Sequence, residues 1–228
     1  MHTQSCCVSV SVLTETQVIV PPVSATPATP RPAATVLLLR RGGRHSERGL
    51  EVLMVRRSPK ASFMPGVWVF PGGAIEPDES PVQCATRELA EEAGIELAAD
   101  AELVEWSRWI TPEVVPVRFD THFYVALAPA HSPPRADGVE VSEAGWFAPR
   151  VALEAHRAGQ LELVFPTIKT LETLRGHPDA EAVLEAARNR VIEPILPRVV
   201  GTRAEHRVLL PGEDGYEKGV GDVDKLEP

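Results

Sequence analysis

The chain has 228 residues, of which 43% are hydrophobic and 24% are charged, and its formal net charge at pH 7 is −9. This composition is ordinary for one sizeable globular domain with additions, and the negative charge disfavours a nucleic-acid partner. An anionic substrate would be repelled by such a surface unless a metal ion or a local basic pocket lay at its binding site.

The cysteines and the apolar runs limit the cellular environment that we expect. Cys6, Cys7 and Cys84 are too few and too unevenly spaced for a disulfide framework. We therefore expect a reducing compartment and a cytoplasmic location. No apolar run reaches the roughly 18 residues of a membrane span, so we expect no membrane partner.

Proline content and sequence pattern divide the chain into three parts. Residues 1–32 end in the run PPVSATPATPRP, which predicts a disordered, proline-rich leader. We expect one domain over residues 33–196, and a C-terminal tail without a strong pattern over residues 197–228.

Within the domain, a series of strands precedes a series of helices. Apolar and alternating segments predict strands at 34–40, 50–57, 67–73, 101–110, 119–128 and 139–147. The first two strands flank a polar, glycine-containing turn, which favours a hairpin. Beyond Pro149 the pattern becomes helical, and we expect helices at 151–159, 166–176 and 179–191.

The most clearly delimited helix is predicted over residues 81–93. Ser80 is a good N-cap, Pro81 suits the first helical position, and Gln83 completes a capping box. Gly94 is placed to end the helix in the left-handed conformation.

Two faces of this helix are chemically different. The predicted apolar stripe consists of Val82, Ala85, Leu89 and Ala93. Glu88, Glu91 and Glu92 follow an i, i+3, i+4 spacing, which places three carboxylates on one face. Like charges so close together destabilise a helix unless they are neutralised, and a hard divalent cation is suited to that role. An ordinary solvated acidic face is the alternative.

The spacing around this helix resembles the Nudix box, G-x5-E-x7-R-E-U-x-E-E-x-G-U, in which U is aliphatic. Gly73, Glu79 and the run Arg87–Ile95 supply all nine defined positions. The predicted strand order over about residues 34–175 is also similar to that of the Nudix hydrolase superfamily. The resemblance implies an α/β fold with a mixed β-sheet sandwiched between α-helices, here with extra C-terminal helices.

The resemblance also implies an activity. Nudix hydrolases cleave a pyrophosphate bond in a nucleoside diphosphate linked to another moiety, and they use Mg²⁺ or Mn²⁺. The substrate would be a small nucleotide, and dimers are common in the family, so a homodimer is an expectation. A Nudix-fold module that senses a nucleotide without turnover is the alternative from another class, although such modules typically have a degraded box.

Site residues follow from the resemblance position by position. Glu88 and Glu92 would be the leading metal ligands, and Glu91 either a third ligand or the base that activates water. Gly73 would offer a backbone carbonyl to the metal. Arg87 would orient a box glutamate, or else form only an exposed pair with Glu91.

Three further sets of residues are candidates outside the helix. Many family members supply an acidic residue from a later loop, for which Glu140 and Glu143 qualify here. Arg56, Arg57 and Arg118 are candidate phosphate contacts, although each could be an ordinary surface arginine. The neighbouring pair Trp146-Phe147 is expected in the core rather than stacked on a base.

The segments flanking the box resemble the coenzyme A diphosphatase branch of the family, the peroxisomal type in animals. The similar segments are VLMVRRSPKASFMPGVWVFPGG, WITPEVVPVRFDTHFYVA and FPTIKTLETL. This resemblance implies coenzyme A or acyl-coenzyme A as substrate. ADP-ribose, NADH and dinucleoside polyphosphates are alternatives within the same enzyme class.

Overall fold

A computed structural model of the chain describes residues 27–42, 49–61, 63–201 and 206–217. Most of the predicted leader and the last eleven residues of the predicted tail lie outside these ranges. The strands are β1 (Arg31–Arg41), β2 (Leu50–Arg57), β3 (Trp68–Val69), β4 (Gly72–Ala74), β5 (Val104–Ile110), β6 (Phe119–Leu127), β7 (Val141–Phe147), β8 (Pro194–Ile195), β9 (Arg198–Gly201) and β10 (His206–Leu209). The helices are α1 (Pro81–Ala93), α2 (Pro149–Arg157), α3 (Phe165–Leu174) and α4 (Ala180–Arg188).

The main sheet is mixed, as predicted. Its central order is β3-β2-β1-β6-β5-β8, with β4 paired to β1 and β7 paired to β2. β1 runs parallel to β6 along nine residue pairs, and β8 runs parallel to β5. The remaining pairs of this sheet are antiparallel, including the expected β1–β2 hairpin.

Helices cover both faces of this sheet because successive strand residues point to opposite sides. Leu37 and Leu39 of β1 join the core under α2, α3 and α4. Val36 and Leu38 of the same strand join the core under α1. The predicted sandwich of a mixed sheet between helices is therefore confirmed.

The observed elements differ from the predicted ones mainly at the start of β1, within the predicted strand 67–73, and in three short strands near the C-terminus. β1 begins at Arg31 rather than residue 34, because its first residues pair with the start of β6. The predicted strand 67–73 is divided into β3 and β4, and Pro71 lies in the break between them. β8, β9 and β10 were not predicted, since two to four residues carry too little pattern.

Among the helices of the described ranges, none combines the length and the apolar character that crossing a bilayer requires.

Candidate active site

Helix α1 begins and ends at the predicted residues because both of its ends are capped. The Ser80 hydroxyl accepts a hydrogen bond from the Gln83 backbone N–H at 3.3 Å, and the Gln83 side chain accepts from the Ser80 N–H at 2.8 Å. Gly94 has φ = 63°, and its N–H donates to the Ala90 carbonyl. Capping at both ends fixes the helical register and hence the directions of the acidic side chains.

The buried side of α1 differs from the predicted stripe in three residues, Val82, Cys84 and Glu92. Val82 was predicted to pack on the sheet, but it lies in the first turn and is 38% exposed. Cys84 is fully buried instead, because β4 packs on its side of the helix. Its thiol lies 3.5 Å from the carbonyl oxygens of both Gly73 and Ala74.

The three box carboxylates occupy different environments, although the sequence placed them on one face. Glu92 is 3% exposed, and one of its oxygens accepts the Gly72 N–H at 3.1 Å. The side chain of Glu88 is 12% exposed, whereas that of Glu91 is 60% exposed. Solvent exposure therefore increases across the cluster, from the buried carboxylate of Glu92 to that of Glu91, which faces solvent.

Burial raises the pKa of the two less exposed carboxylates, those of Glu88 and Glu92. Burial, together with the nearby charges of Glu88 and Glu140, raises the pKa of Glu92 to about 8. Burial is also the main cause that raises the pKa of Glu88, with Glu91 and Glu140 adding to it. When ionised, such groups carry negative charge that the protein itself does not fully compensate.

Arg87 connects the acidic residues of the box to one another. One terminal nitrogen donates to Glu88 at 2.7 Å and to Glu91 at 3.0 Å. The Nε and the other terminal nitrogen form a bidentate pair with Glu79 at 2.8 and 2.9 Å. The exposed pair with Glu91 is thus only one of several contacts, and Arg87 orients Glu88 as well.

Glu79 ties the loop before α1 to the helix. The hydrogen bonds from Arg87 lower the pKa of Glu79 to about 2, so this carboxylate stays ionised. Its second oxygen also accepts the Glu76 N–H at 3.0 Å. The loop between β4, which carries Gly73, and α1 is therefore tied to the helix through Arg87.

Two glycines of β4 allow close approach, Gly73 toward helix α1 and Gly72 toward strand β1. A Cβ placed on Gly73 would lie 2.2 Å from a carboxylate oxygen of Glu88. A Cβ on Gly72 would lie 2.2 Å from the Thr35 hydroxyl and 2.6 Å from the Ala34 carbonyl. Gly73 therefore provides the space into which the Glu88 carboxylate fits.

The structure separates the two late acidic candidates. Glu140 is exposed, and its charge is felt by both Glu88 and Glu92. Glu143 forms an ion pair with Arg56 at 2.7 Å and lies opposite it in the β2–β7 register. Arg56 lies two residues after Met54 in β2, so both side chains are on the same face of the sheet, the one that packs under α2–α4. Glu143, which pairs with Arg56, therefore lies on the face away from α1.

The three candidate arginines also have different surroundings. Arg57 is half-buried, its Nε donates to the Phe63 carbonyl at 3.0 Å, and its charge opposes the effect of burial on the pKa of Glu92. Arg56 is held by Glu143 and by the Gly66 carbonyl. Arg118 is 7% exposed and donates to the carbonyls of Thr111 and Ala28. Arg118 was a candidate phosphate contact with an ordinary surface arginine as the alternative, and its burial against these carbonyl groups excludes that alternative.

Two features of the site were not singled out from the sequence. One is the contact of the Cys84 thiol with the Gly73 carbonyl, which only the packing of β4 reveals. The other is Asp137, whose carboxylate accepts backbone N–H groups from the start of β7. The expectation for Trp146 and Phe147 is confirmed, because each packs against one of the two cores.

Within residues 27–42, 49–61, 63–201 and 206–217, no three acidic, histidine or cysteine side chains converge as a ready metal site. In this arrangement Arg87 holds Glu88 and Glu91, while Glu92 turns toward Gly72. The donor set nevertheless fits a hard divalent cation, since it combines two carboxylates of raised pKa with a closely approaching backbone.

Comparisons with known proteins agree with this geometry. The NUDIX domain family matches residues 29–165, more than half of the chain. Putative nudix hydrolase 7 of Caenorhabditis elegans is 28% identical over 206 residues, which cover 72% of this chain and 69% of that protein. CTP pyrophosphohydrolase of Escherichia coli is 38% identical over 69 residues, or 30% of this chain and 50% of that protein.

Among solved structures, a NUDIX hydrolase from Alicyclobacillus acidocaldarius is similar at 28% identity with a TM-score of 0.63. The match covers 71% of this chain and 97% of that one. Family, sequence and fold thus agree with a capped helix that carries a complete Nudix box. The chain belongs to the Nudix family and is an enzyme of its pyrophosphohydrolase class, which acts on nucleoside diphosphate derivatives.

Proposed function

We propose that this enzyme hydrolyses the pyrophosphate bond of a nucleoside diphosphate linked to a second moiety, with a divalent cation held by the carboxylates of α1. The observation that carries the proposal is the pair Glu88 and Glu92, two buried or nearly buried carboxylates with raised pKa. Charged groups are costly to bury without a partner, and Arg87 contacts only Glu88 of these two.

Glu88 and Glu92 are the proposed ligands of Mg²⁺ or Mn²⁺, with the Gly73 carbonyl and Glu91 as additional donors. When bound, such a cation neutralises charge on the pyrophosphate and activates water as the nucleophile. Arg87 keeps Glu88 in place through its bond at 2.7 Å while Glu79 fixes Arg87 in turn.

Glu91 and Glu140 are the proposed proton acceptors. Both are exposed, so either can reach a water molecule beside the buried carboxylates. Water attacks one phosphorus atom, the bridging P–O bond breaks, and the proton of the water passes to a carboxylate. The products are two phosphorylated fragments. Glu143 has no part in this scheme, because it lies on the opposite face of the sheet.

Arg57 is the best-placed of the three arginines for a phosphate contact. Of its three guanidinium nitrogens, only Nε makes a hydrogen bond within the described part of the chain, which leaves the two terminal nitrogens available to an anion. Arg56 is already neutralised by Glu143, and Arg118 is buried against carbonyl groups. Guanidinium groups bind phosphate well because two of their N–H groups can donate in parallel.

The proposed substrate is coenzyme A or an acyl-coenzyme A, and the support is the similarity of three segments to the coenzyme A diphosphatase branch. ADP-ribose, NADH and dinucleoside polyphosphates are the alternatives. The matched relatives have different substrates in their names, CTP for the Escherichia coli protein and NAD-capped RNA for one from Pseudomonas aeruginosa. Their names therefore do not select among these molecules.

The test is a hydrolysis screen with Mg²⁺ and Mn²⁺ over coenzyme A species, ADP-ribose, NADH, dinucleoside polyphosphates and nucleoside triphosphates. We expect metal-dependent products from a pyrophosphate-linked nucleotide, and a loss of about 100-fold or more in the variants E91Q and E92Q. E96Q is the matched control, since Glu96 is exposed just beyond α1. Unchanged turnover in both variants would overturn the assignment of these residues.

A further inference from the structure

The loop between β6 and β7 contains a carboxylate, that of Asp137, which accepts three hydrogen bonds from backbone N–H groups. One oxygen of Asp137 accepts N–H groups from Val139 at 3.1 Å and Val141 at 2.9 Å. The other oxygen accepts the Glu140 N–H at 3.0 Å. Burial opposes ionisation, yet these three bonds together lower the pKa of Asp137, so it remains an acceptor at neutral pH.

The same loop is attached to the active site at two further points. The Arg135 N–H donates to the Ala93 carbonyl in the last turn of α1 at 2.8 Å. The Ser58 N–H, just after β2, donates to the Glu140 carbonyl at 2.7 Å. Glu140 is thus fixed through its own N–H and its own carbonyl, by two different parts of the chain.

The segment that carries Glu140 lies beside the end of α1 and the end of β2, through the backbone bonds of Arg135 to Ala93 and of Ser58 to Glu140. From this position the negative charge of Glu140 adds to the causes that raise the pKa of Glu88 and Glu92. Its carboxylate makes no hydrogen bond or ion pair with any other residue of the described part. An exposed side chain without a partner has many rotamers, so a fixed backbone is its main source of order.

We propose that Asp137 is a positioning residue that clamps the turn before β7 and thereby holds Glu140 beside Glu88 and Glu92. The inference rests on the proposed function, because it requires Glu140 to act at the carboxylate site. A residue that merely stabilised a surface turn would make the same three hydrogen bonds. The two roles differ in whether the effect of Asp137 depends on Glu140.

The experiment is a double-mutant cycle with D137A, E140Q and the combined variant. The readouts are the Kd for Mn²⁺ measured by calorimetry, the turnover of coenzyme A and ADP-ribose, and the Tm. We expect D137A to lower turnover by about 10-fold, because the proposed proton acceptor Glu140 loses its position when the three hydrogen bonds are lost. We also expect weaker Mn²⁺ binding, because the negative charge of Glu140 is then no longer held near the metal ligands. In the E140Q background, D137A should then have no further effect on either quantity.

Two matched variants separate position from charge and from general damage to the loop. D137N loses the same charge as D137A but keeps the oxygen that accepts from Val139 and Val141, so its effect should be smaller. Equal effects of the two variants would favour loss of charge and overturn the positioning role. S132A removes the bond of the Ser132 hydroxyl to Pro129 in the same loop and should leave both readouts unchanged.

The possible failures are distinguishable. If E140Q binds Mn²⁺ and turns over substrate like the unmodified enzyme, the role of Glu140 in the proposed function fails, and the inference about Asp137 fails with it. If E140Q is impaired while D137A is normal, or if the two losses are additive, only the inference about Asp137 is overturned. If D137A has a much lower Tm than the unmodified enzyme, the same comparison with E140Q is made with D137N in its place.

Discussion

The two sides of the main sheet differ in what they bury: one side is mainly apolar, and the other also contains charged groups. Among the described residues, the apolar core under α2, α3 and α4 contains 20 buried residues, and the apolar core under α1 contains 13. The α1 side also carries the buried carboxylate of Glu92 and the Arg87 network. The larger core provides most of the apolar burial, while the smaller one accommodates groups that are costly to bury.

This contrast teaches that stability and chemistry are distributed between opposite faces of the same strands. Leu37 and Val36 are adjacent in β1, yet one packs on the apolar side and the other beneath the box helix. Substitutions on the two sides should therefore have opposite signatures in stability and in metal binding.

The largest effect is expected for E92Q, on the α1 side. Turnover and Mn²⁺ affinity should fall by about 100-fold or more, because a proposed ligand and its charge are lost. At pH 8 without metal, the variant should be more stable than the parent by about 1–3 kcal/mol, since it no longer buries a charge. Denaturant unfolding with and without Mn²⁺ checks both effects, and a destabilised metal-free E92Q at pH 8 would contradict the contrast.

The next largest effect is expected for L171A, on the opposite side. Leu171 is fully buried among the helices α2–α4. Its truncation should lower the free energy of unfolding by about 2–5 kcal/mol through lost burial and a residual cavity. The Kd for Mn²⁺, measured well below the Tm, should remain that of the parent. A weakened Kd would show that the two sides are energetically coupled.

The neighbouring variants G72A and G73A should separate the two properties within one strand. In G72A the new Cβ meets the Ala34 carbonyl of β1, a backbone atom, so overpacking should cost about 1–3 kcal/mol of stability. In G73A the new Cβ meets the carboxylate end of the Glu88 side chain rather than a backbone atom. This side chain should move away, which weakens Mn²⁺ binding with a smaller loss of stability. Similar profiles in thermal unfolding and calorimetry would be evidence against distinct roles.

The pH dependence follows from Glu92. Its ordinary pKa is 4.5 and burial raises it to about 8, so the unfolded chain ionises first. Without metal, stability should fall as the pH rises from 4.5 to 8. Because a metal ligand must be deprotonated, Mg²⁺ affinity should rise by up to about 10-fold per pH unit below pH 8. Thermal shifts measured at several pH values test this, with E92Q as the control that should respond less.

The smallest effect is expected for E143Q. Glu143 is an exposed residue paired with Arg56 on the side of the sheet away from α1. Its loss should change stability by less than about 1 kcal/mol and turnover by less than about threefold. The turnover of E143Q is measured together with that of E140Q. A larger loss of turnover in E143Q than in E140Q would reverse the assignment of these two glutamates.

Local signals made the box helix predictable, and long-range packing explains what was missed. Ser80, Gln83 and Gly94 act within one turn of the helix ends, so the sequence alone located both ends. The burial of Glu92 could have been noticed, since it lies three residues after Leu89 and seven after Ala85 on the buried stripe.

Other parts of the site depend on contacts between distant segments. Glu143 lies opposite Arg56 because β7 pairs with β2, and this pairing has a register shift between Arg56 and Arg57. Glu140 precedes β7 and is held by hydrogen bonds of its backbone groups with Ser58 and Asp137. The burial of Arg118 depends on carbonyl groups at Thr111 and Ala28. Neither pairing has a local signature, so the sequence left these residues as equal candidates.

The most direct test of the metal site is calorimetric titration of Mn²⁺ into the unmodified enzyme, E88Q, E92Q and E143Q at pH 8. Binding should be readily measured in the unmodified enzyme and in E143Q, and it should be about 100-fold weaker or absent in E88Q and E92Q. Mn²⁺ binding of equal strength in all four proteins would contradict the assignment of Glu88 and Glu92 as ligands.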